Sequence, residues 1–286
     1  MKKVIVYVLG IIFGAYISVV LLHDYNNFSF FYFLDGSQIE EESFRFMDFT
    51  ENGLLQMRTF ADCYELDIYD VITTWMISDG YHWKKRDINE ATRKWYERQK
   101  QQMLHYNKYA FLKLRNAYET LLSGISCFPV PKSTNMNVSF VTYEQSWGDK
   151  RTYGGERTHE GTDVMGMEYP RGFYPVISIT DGIVENIGWL EKGGHRIGIR
   201  TEKGGYFYYA HLYSYSDGLQ VGSKVKAGDI IGFMGDSGYG MEGTIGKFPV
   251  HLHFGMYMQT AHLEEMSVNP YYILKYLEHF VRVYDY

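Results

Sequence analysis

Pro129 and Pro131 divide this chain into two stretches that cannot share one secondary structure. Proline lacks an amide hydrogen and fixes its backbone φ near about −65°, so a helix cannot run through two of them. Upstream, apolar residues recur every three or four positions. Downstream, glycine becomes frequent and short β-like runs alternate with turns.

The upstream pattern is clearest over residues 66–124. Val71, Ile72, Trp75 and Met76 stand at helical spacing, and Asp79-Gly80 is a stop signal. Asp87 or Asn89 then caps a second, longer helix carrying Trp95, Met103, Tyr106, Phe111, Leu114, Tyr118 and Leu121, with Gly124 as its end. A helical hairpin or a coiled stalk fits this pattern. Trp and Met at such spacings are core residues more often than site residues, so the segment reads as packing or spacer, with a surface for a protein partner. Lying before the β region, it is also a candidate inhibitory cover for a groove there. Residues 23–65 are mixed, with the aromatic cluster Phe28–Phe33 and the acidic Glu40-Glu41-Glu42, and read as a connector.

Downstream, β-like runs occur at Val138–Val141, Val176–Ile179, Gly182–Val184, Arg196–Ile199, Tyr206–Tyr209, Asp229–Phe233 and His251–Met256. Short strands with closely spaced turns predict an all-β sandwich or barrel. Asn269-Pro270 opens a closing helix over residues 271–280.

At the start, Lys2-Lys3 precedes an uncharged apolar run, Val4 to Leu22, with Asp24 beyond. That length crosses a bilayer as a helix, and the flanking charges leave the N-terminus cytoplasmic and the bulk outside. No Ala-x-Ala cleavage site follows Leu22, which favours an uncleaved signal-anchor over a removed signal peptide. The net charge of −6, with no long basic run, argues against a nucleic-acid binder. The two cysteines, Cys63 and Cys127, form no Cys-x-x-Cys pair, so a thiolate zinc site is not expected. On an exported chain the two are able to pair, although spacing does not decide it. The expected organisation is therefore 1–24 tip and transmembrane anchor, 25–126 juxtamembrane and helical region, and 127–286 β domain.

Candidate ligands lie in the β region. His251 and His253 flank Leu252, and in a strand alternate side chains share a face, so both imidazoles project together. His159 and Asp163 stand four residues apart, with Gly161 letting the chain bend between them. His211 follows the run Tyr206–Tyr209 and is placed at a strand end. Imidazole and carboxylate suit zinc, and a catalytic zinc takes three protein ligands and one open position. His159, Asp163 and one of His251 and His253 make that number. The other of the pair and His211 remain to handle protons or steady a developing oxyanion while the metal activates water. His23, His82, His105, His195, His262 and His279 lack neighbouring ligands and read as surface or packing residues.

Residues about 129–275 resemble the lysostaphin-type (LytM-like) zinc peptidases that cut bacterial peptidoglycan. The resemblance rests, in chain order, on His159-Glu160-Gly161-Thr162-Asp163, Val176–Val184 with Asp181-Gly182-Ile183-Val184, Tyr209-Ala210-His211-Leu212, Val225–Gly232 with Met234–Gly238, and His251-Leu252-His253-Phe254. It implies a β-sheet sandwich with a groove over zinc. It also implies His159, Asp163 and His253 as zinc ligands, His211 and His251 as the catalytic pair, and peptidoglycan peptide as substrate. The chain departs from the family pattern where Phe248-Pro249-Val250 replaces the usual Gly-Pro, where Gly255 replaces an acidic residue, and where Tyr239–Lys247 is longer than the common turn. None of these removes a ligand; all bear on groove shape. A non-catalytic surface scaffold of the same fold is the alternative. A biotinyl- or lipoyl-carrier sandwich is disfavoured, because no Met-Lys-Met or Asp-Lys-Ala tip is present.

Overall fold

The structure, a computed structural model, describes residues 9–19, 21–22, 31, 34–152, 155–166 and 169–286. Residues 9–19 and 21–22 are helical, with exposed apolar side chains. Among the described residues no helix is long and apolar enough to cross a membrane. The rest of the expected span, residues 4–8 and Val20, lies outside them.

The stretch read as a connector is built into the fold. It forms α1 (Glu42–Arg45) and α2 (Gly53–Cys63), and Phe44, Phe49, Met57 and Phe60 are fully buried. The expected hairpin follows. Asp67 caps α3 (Ile68–Ser78), its carboxylate accepting the Asp70 amide at 2.9 Å, and Gly80 takes φ +69° at the stop. Asn89 rather than Asp87 caps α4 (Glu90–Leu122), accepting the Thr92 amide at 2.9 Å. The last helical turn gives way to Gly124 at φ +79°, a left-handed position that suits glycine. Within α4, Asn107 leaves helical geometry (φ −151°, ψ 69°), and its amide group donates to the Leu34 carbonyl at 2.6 Å.

Met103, Phe111, Leu114, Tyr118 and Leu121 of α4 are completely buried, in one hydrophobic core continuous with that of the β region. This overturns the stalk reading: a stalk would leave that face to solvent or to a copy of itself. Polar contacts fasten the same junction. Arg45 donates to the Ser267 carbonyl at 3.0 Å, the Asn269 amide donates to the Arg45 carbonyl at 2.8 Å, and Lys203 meets Glu119 at 2.8 Å. Cys63 is exposed and Cys127 buried, and both are free thiols, so the pairing considered above is not formed.

The β region is a mainly antiparallel domain. Its ten-stranded sheet comprises β1 (Thr142–Tyr143), β2 (Thr162–Met165), β3 (Pro175–Ile177), β4 (Gly182–Leu190), β5 (Gly194–Arg200), β6 (Tyr206–Tyr215), β7 (Lys224–Val225), β8 (Ile230–Met234), β9 (His251–Met258) and β10 (Met266–Val268). The main path runs β7-β4-β5-β6-β9-β2-β1; β8 joins β6 to β3, and β10 flanks β9. The closing helix forms as α5 (Tyr271–Leu277). The strand expected at Val138–Val141 does not form, and only Thr142–Tyr143 pairs. Part of that segment is held by side chains instead: the Tyr174 hydroxyl donates to the Ser139 carbonyl at 2.6 Å.

Strand β9 organises the site. It lies between β6 and β2, in register His253 opposite both Ala210 and Asp163. Leu252 and Phe254 are wholly buried on its other face. Burying each contributes about 1.5–3 kcal/mol, and a one-residue slip would turn both to the groove. The core therefore fixes which way His251 and His253 point.

Candidate metal centre and active site

Three elements bring the predicted ligands together. His159 follows the short hairpin Lys150–Arg151 with Arg157–Thr158, Asp163 lies on β2, and His253 lies on β9. His159 Nε2 is 3.1 Å from Asp163 Oδ1 and 3.0 Å from His253 Nδ1, and His253 Nδ1 is 3.0 Å from the same Asp163 oxygen. Donors around a tetrahedral zinc at about 2.0–2.1 Å stand roughly 3.3 Å apart, so the triangle is close to the size a metal requires. It is the group of His, Cys, Asp and Glu side chains able to hold an ion among the described residues. Its nitrogen and oxygen donors suit zinc-like cations.

Partners behind the donors orient them. The His159 Nδ1–H faces the Ser146 carbonyl at 3.0 Å, which leaves Nε2 for the cluster. Arg151 donates to Asp163 Oδ2 at 2.9 Å, which leaves Oδ1 facing the two imidazoles. Gly161 has no side chain where a Cβ would stand 2.7 Å from His253 Cε1 and Nε2. Burial opposes ionisation of Asp163, but hydrogen bonding and charge from His159 and His253 outweigh it and hold the carboxyl well below the usual carboxylate range. Burial pushes the His253 imidazole down, against the pull of Asp163.

The other two predicted residues face the same groove. His251 donates from Nδ1 to the Pro249 carbonyl at 2.7 Å, and its Nε2 is 4.0 Å from Asp163 Oδ1. His211 donates from Nδ1 to the Ser237 carbonyl at 2.7 Å. The two rings lie 4.6 Å apart, centre to centre. Each imidazole thus has its proton committed to a main-chain oxygen and Nε2 as the basic nitrogen. Burial, then the neighbouring His251 and His253, push His211 down to about 3, against the Ser237 contact.

His211 is not at a strand end, as its sequence context suggested, but in the middle of β6. There the register shifts between the pairs His195–Leu212 and Ile197–Tyr209, and His211 takes φ +61°. The extra residue of this bulge lets His211 line the groove beside Tyr208 and Ala210, while Leu212 and Tyr209 stay buried. A non-glycine residue in the left-handed region carries backbone strain, here at a residue of the site.

All five predicted residues line one cavity of about 360 Å³. Its other walls come from residues between 151 and 257, and no residue of the helical region is among them. The idea of a helical cover over the groove therefore finds no contact to support it. Several lining or supporting residues carry no motif: Ser146 and Arg151 behind the ligands, and Arg157, Lys192 and Tyr239 at the walls. Tyr239 lies in the 239–247 segment. That loop is pinned to the β4–β5 turn, where the Trp189 indole donates to the Gly240 carbonyl at 3.1 Å and the Gly240 amide donates to the Glu191 carbonyl at 3.0 Å.

A mainly antiparallel β domain with a His–Asp–His cluster and two further histidines in its groove has the form of a metallopeptidase. Residues 157–270 match the family model of peptidase family M23. The chain also aligns with the crystal structure of a LytM protein from Ruminococcus gnavus, described as a candidate glycyl-glycine endopeptidase. The two are 38% identical over 88% of this chain and 99% of that one, with a TM-score of 0.74. The chain belongs to peptidase family M23. It is 44% identical to the L-Ala--D-Glu endopeptidase of Bacillus subtilis over 161 residues, 56% of this chain and 46% of that protein. It is 36% identical to lysostaphin of Staphylococcus simulans over 96 residues, 31% of this chain and 18% of that protein. It thus spans less than half the length of these curated relatives.

Proposed function

We propose that this protein is a membrane-anchored zinc metalloendopeptidase that hydrolyses peptide bonds in peptidoglycan stem peptides or cross-bridges. The observation that carries the reading is the pairing of a three-donor triangle, with sides of 3.0–3.1 Å, with two tautomer-fixed histidines in one groove. His159 Nε2, Asp163 Oδ1 and His253 Nδ1 would hold the ion. Zinc, when bound there, supplies Lewis acidity at its open position.

The chain's own residues supply the proton handling. A water attacking the scissile carbonyl forms the new C–O bond, and one of His211 and His251 accepts its proton at Nε2. The imidazolium so formed faces the developing oxyanion, and the other imidazole lines the groove beside it. The C–N bond then breaks, and the proton passes to the leaving amine. The carbonyls of Ser237 and Pro249 hold the Nδ1 protons of His211 and His251, so each presents Nε2 to the groove. The groove over the metal site, walled by Tyr208, Tyr239 and Phe248, would receive the peptide.

The relatives' names point to two kinds of bond, glycyl-glycine and L-Ala–D-Glu, and both occur in the proposed substrate class. The anchor is supported by Lys2-Lys3 and the apolar run to Leu22, with the peptidase domain outside the membrane. In a test with purified protein, zinc and cell-wall sacculi, peptide release is expected, with His253→Ala losing both bound zinc and release. Undiminished release after complete metal removal would overturn the reading.

A further inference from the structure

We propose that the groove selects an anionic peptide, with Arg157 and Lys192 receiving a carboxylate of the substrate near the scissile bond. The inference rests on the endopeptidase reading and narrows its substrate to the acidic stem rather than a neutral glycine bridge.

The charge of the groove runs against that of the chain. The protein carries −6 overall, yet among the described residues the cavity is lined by the cations Arg151, Arg157 and Lys192 against the carboxylates Glu160 and Asp163. Arg151 and Asp163 neutralise each other at 2.9 Å. The other Asp163 oxygen faces His159 and His253 rather than the open groove. Arg157 and Lys192 have no carboxylate within 4.0 Å among the described residues.

Both cations line the groove beside the proposed chemistry. The Arg157 guanidinium donates to the Tyr239 hydroxyl and lies 5.6 Å from the centre of that ring. Tyr239 in turn stacks on His211 at 5.7 Å and 15°. Lys192 sits in the β4–β5 turn, whose next residue, Gly193, accepts the His211 amide at 2.8 Å. A Cβ on Gly193 would come within 2.2 Å of the Tyr208 hydroxyl, so this turn is pressed onto the groove floor. Two cations lining the groove around His211, with Arg157 fixed on Tyr239, are suited to an anion that lies there only when substrate is bound. A polypeptide of glycine offers no such group.

The test uses the full zinc-loaded chain and three synthetic peptides. Two are acetylated, C-terminally amidated Ala–D-Glu–Lys stem peptides that differ only in whether the glutamyl carboxyl is free or amidated. The third is pentaglycine. The free acid is expected to be cut with kcat/KM about tenfold or more above its amide, since a charged hydrogen bond is lost in the amide. That advantage should shrink as salt is raised, while the rate on the amide stays flat. Arg157→Gln and Lys192→Gln should each reduce the acid-to-amide ratio. Arg157→Glu and Lys192→Glu should drive it below one, an inversion that loss of folded protein cannot produce. Equal cleavage of acid and amide, or faster cleavage of pentaglycine, would overturn the inference and leave the endopeptidase reading standing. Cleavage of none of the three peptides, nor of sacculi, would sink both.

Discussion

Replacing Gly161 by alanine is the sharpest test of how the ligand triangle is built. Gly161 lies between the donors His159 and Asp163. A Cβ added there would meet the Phe254 carbonyl oxygen at 2.5 Å and His253 Cε1 and Nε2 at 2.7 Å. Ordinary contact begins at 3.4 Å, so the carbonyl would have to retreat by about 0.9 Å or the ring by about 0.7 Å. The carbonyl belongs to the β9–β2 ladder, where Phe254 pairs with Thr162. Its retreat would open the pairing that holds Asp163, so the ring or the loop must give. Metal–ligand distances tolerate only about 0.2 Å, so a displacement several times larger weakens or removes one of the three proposed ligands. Disturbing the groups that orient ligands typically costs about 10–100-fold in metal affinity, and Gly161→Ala should lose at least that much. Overpacking should also lower the stability of the metal-free protein by about 1–3 kcal/mol. Zinc titration against a chromophoric chelator reads the first quantity, and urea unfolding in chelator reads the second. A variant that binds zinc within twofold of the parent and keeps its urea midpoint would refute the reasoning. A lowered midpoint with unchanged affinity of the folded protein would assign Gly161 to packing alone.

Arg151→Ala should free Asp163 Oδ2, now paired at 2.9 Å, and weaken zinc binding about 10–100-fold; isothermal titration giving an unchanged affinity would contradict the orienting role. Phe254→Ala, at a fully buried position behind His253, should cost about 3–5 kcal/mol, measured by urea unfolding. A chain truncated to begin at Phe128 loses the helical side of a shared core and should melt far below the full chain; equal melting temperatures would show that the β region stands alone. Burial lowers the His195 imidazole below its ordinary 6.5. Between that lowered value and 6.5 the unfolded chain binds more protons, so the contribution is complete above pH 6.5 and is lost as pH falls. His195→Gln should therefore lose less stability on acidification through this window than the parent, and identical pH profiles in urea unfolding would count against it.

The parts of the fold that were legible in the sequence are those where one local rule acts alone. The hairpin α3–α4 followed from its apolar period, its Asn89 cap and Gly124, and most of the strands from alternating runs bounded by glycine. Residues 34–65 were illegible because their aromatic residues follow no single period. Phe44 and Phe49 are buried against the distant Tyr118, and only Leu54, Met57, Phe60 and Ala61 of α2 form a regular face. The stalk reading failed for a related reason. A periodic apolar face says that something covers it, not whether the cover is a second copy, a lipid or the chain's own sheet.

The site shows the same boundary at the scale of single atoms. Alternation along β9 is enough to put His251 and His253 on one face, and burial of Leu252 and Phe254 makes that face certain. It cannot divide their work, because strand geometry sets where a ring projects and not which nitrogen leads. That is decided by nearby main-chain oxygens. The Pro249 carbonyl takes the Nδ1 proton of His251 at 2.7 Å, so only Nε2 remains to act in the groove, 4.0 Å from Asp163. His253 instead has Nδ1 3.0 Å from both His159 and Asp163, inside the donor triangle. The backbone thus supports a ligand role for one histidine and a proton-handling role for its neighbour two residues away. His211 reaches the same groove through a bulge and a left-handed φ that alternation would not have produced. The chemistry therefore depends most on the two features that pattern reading is least able to supply, a carbonyl's direction and an irregularity in a strand.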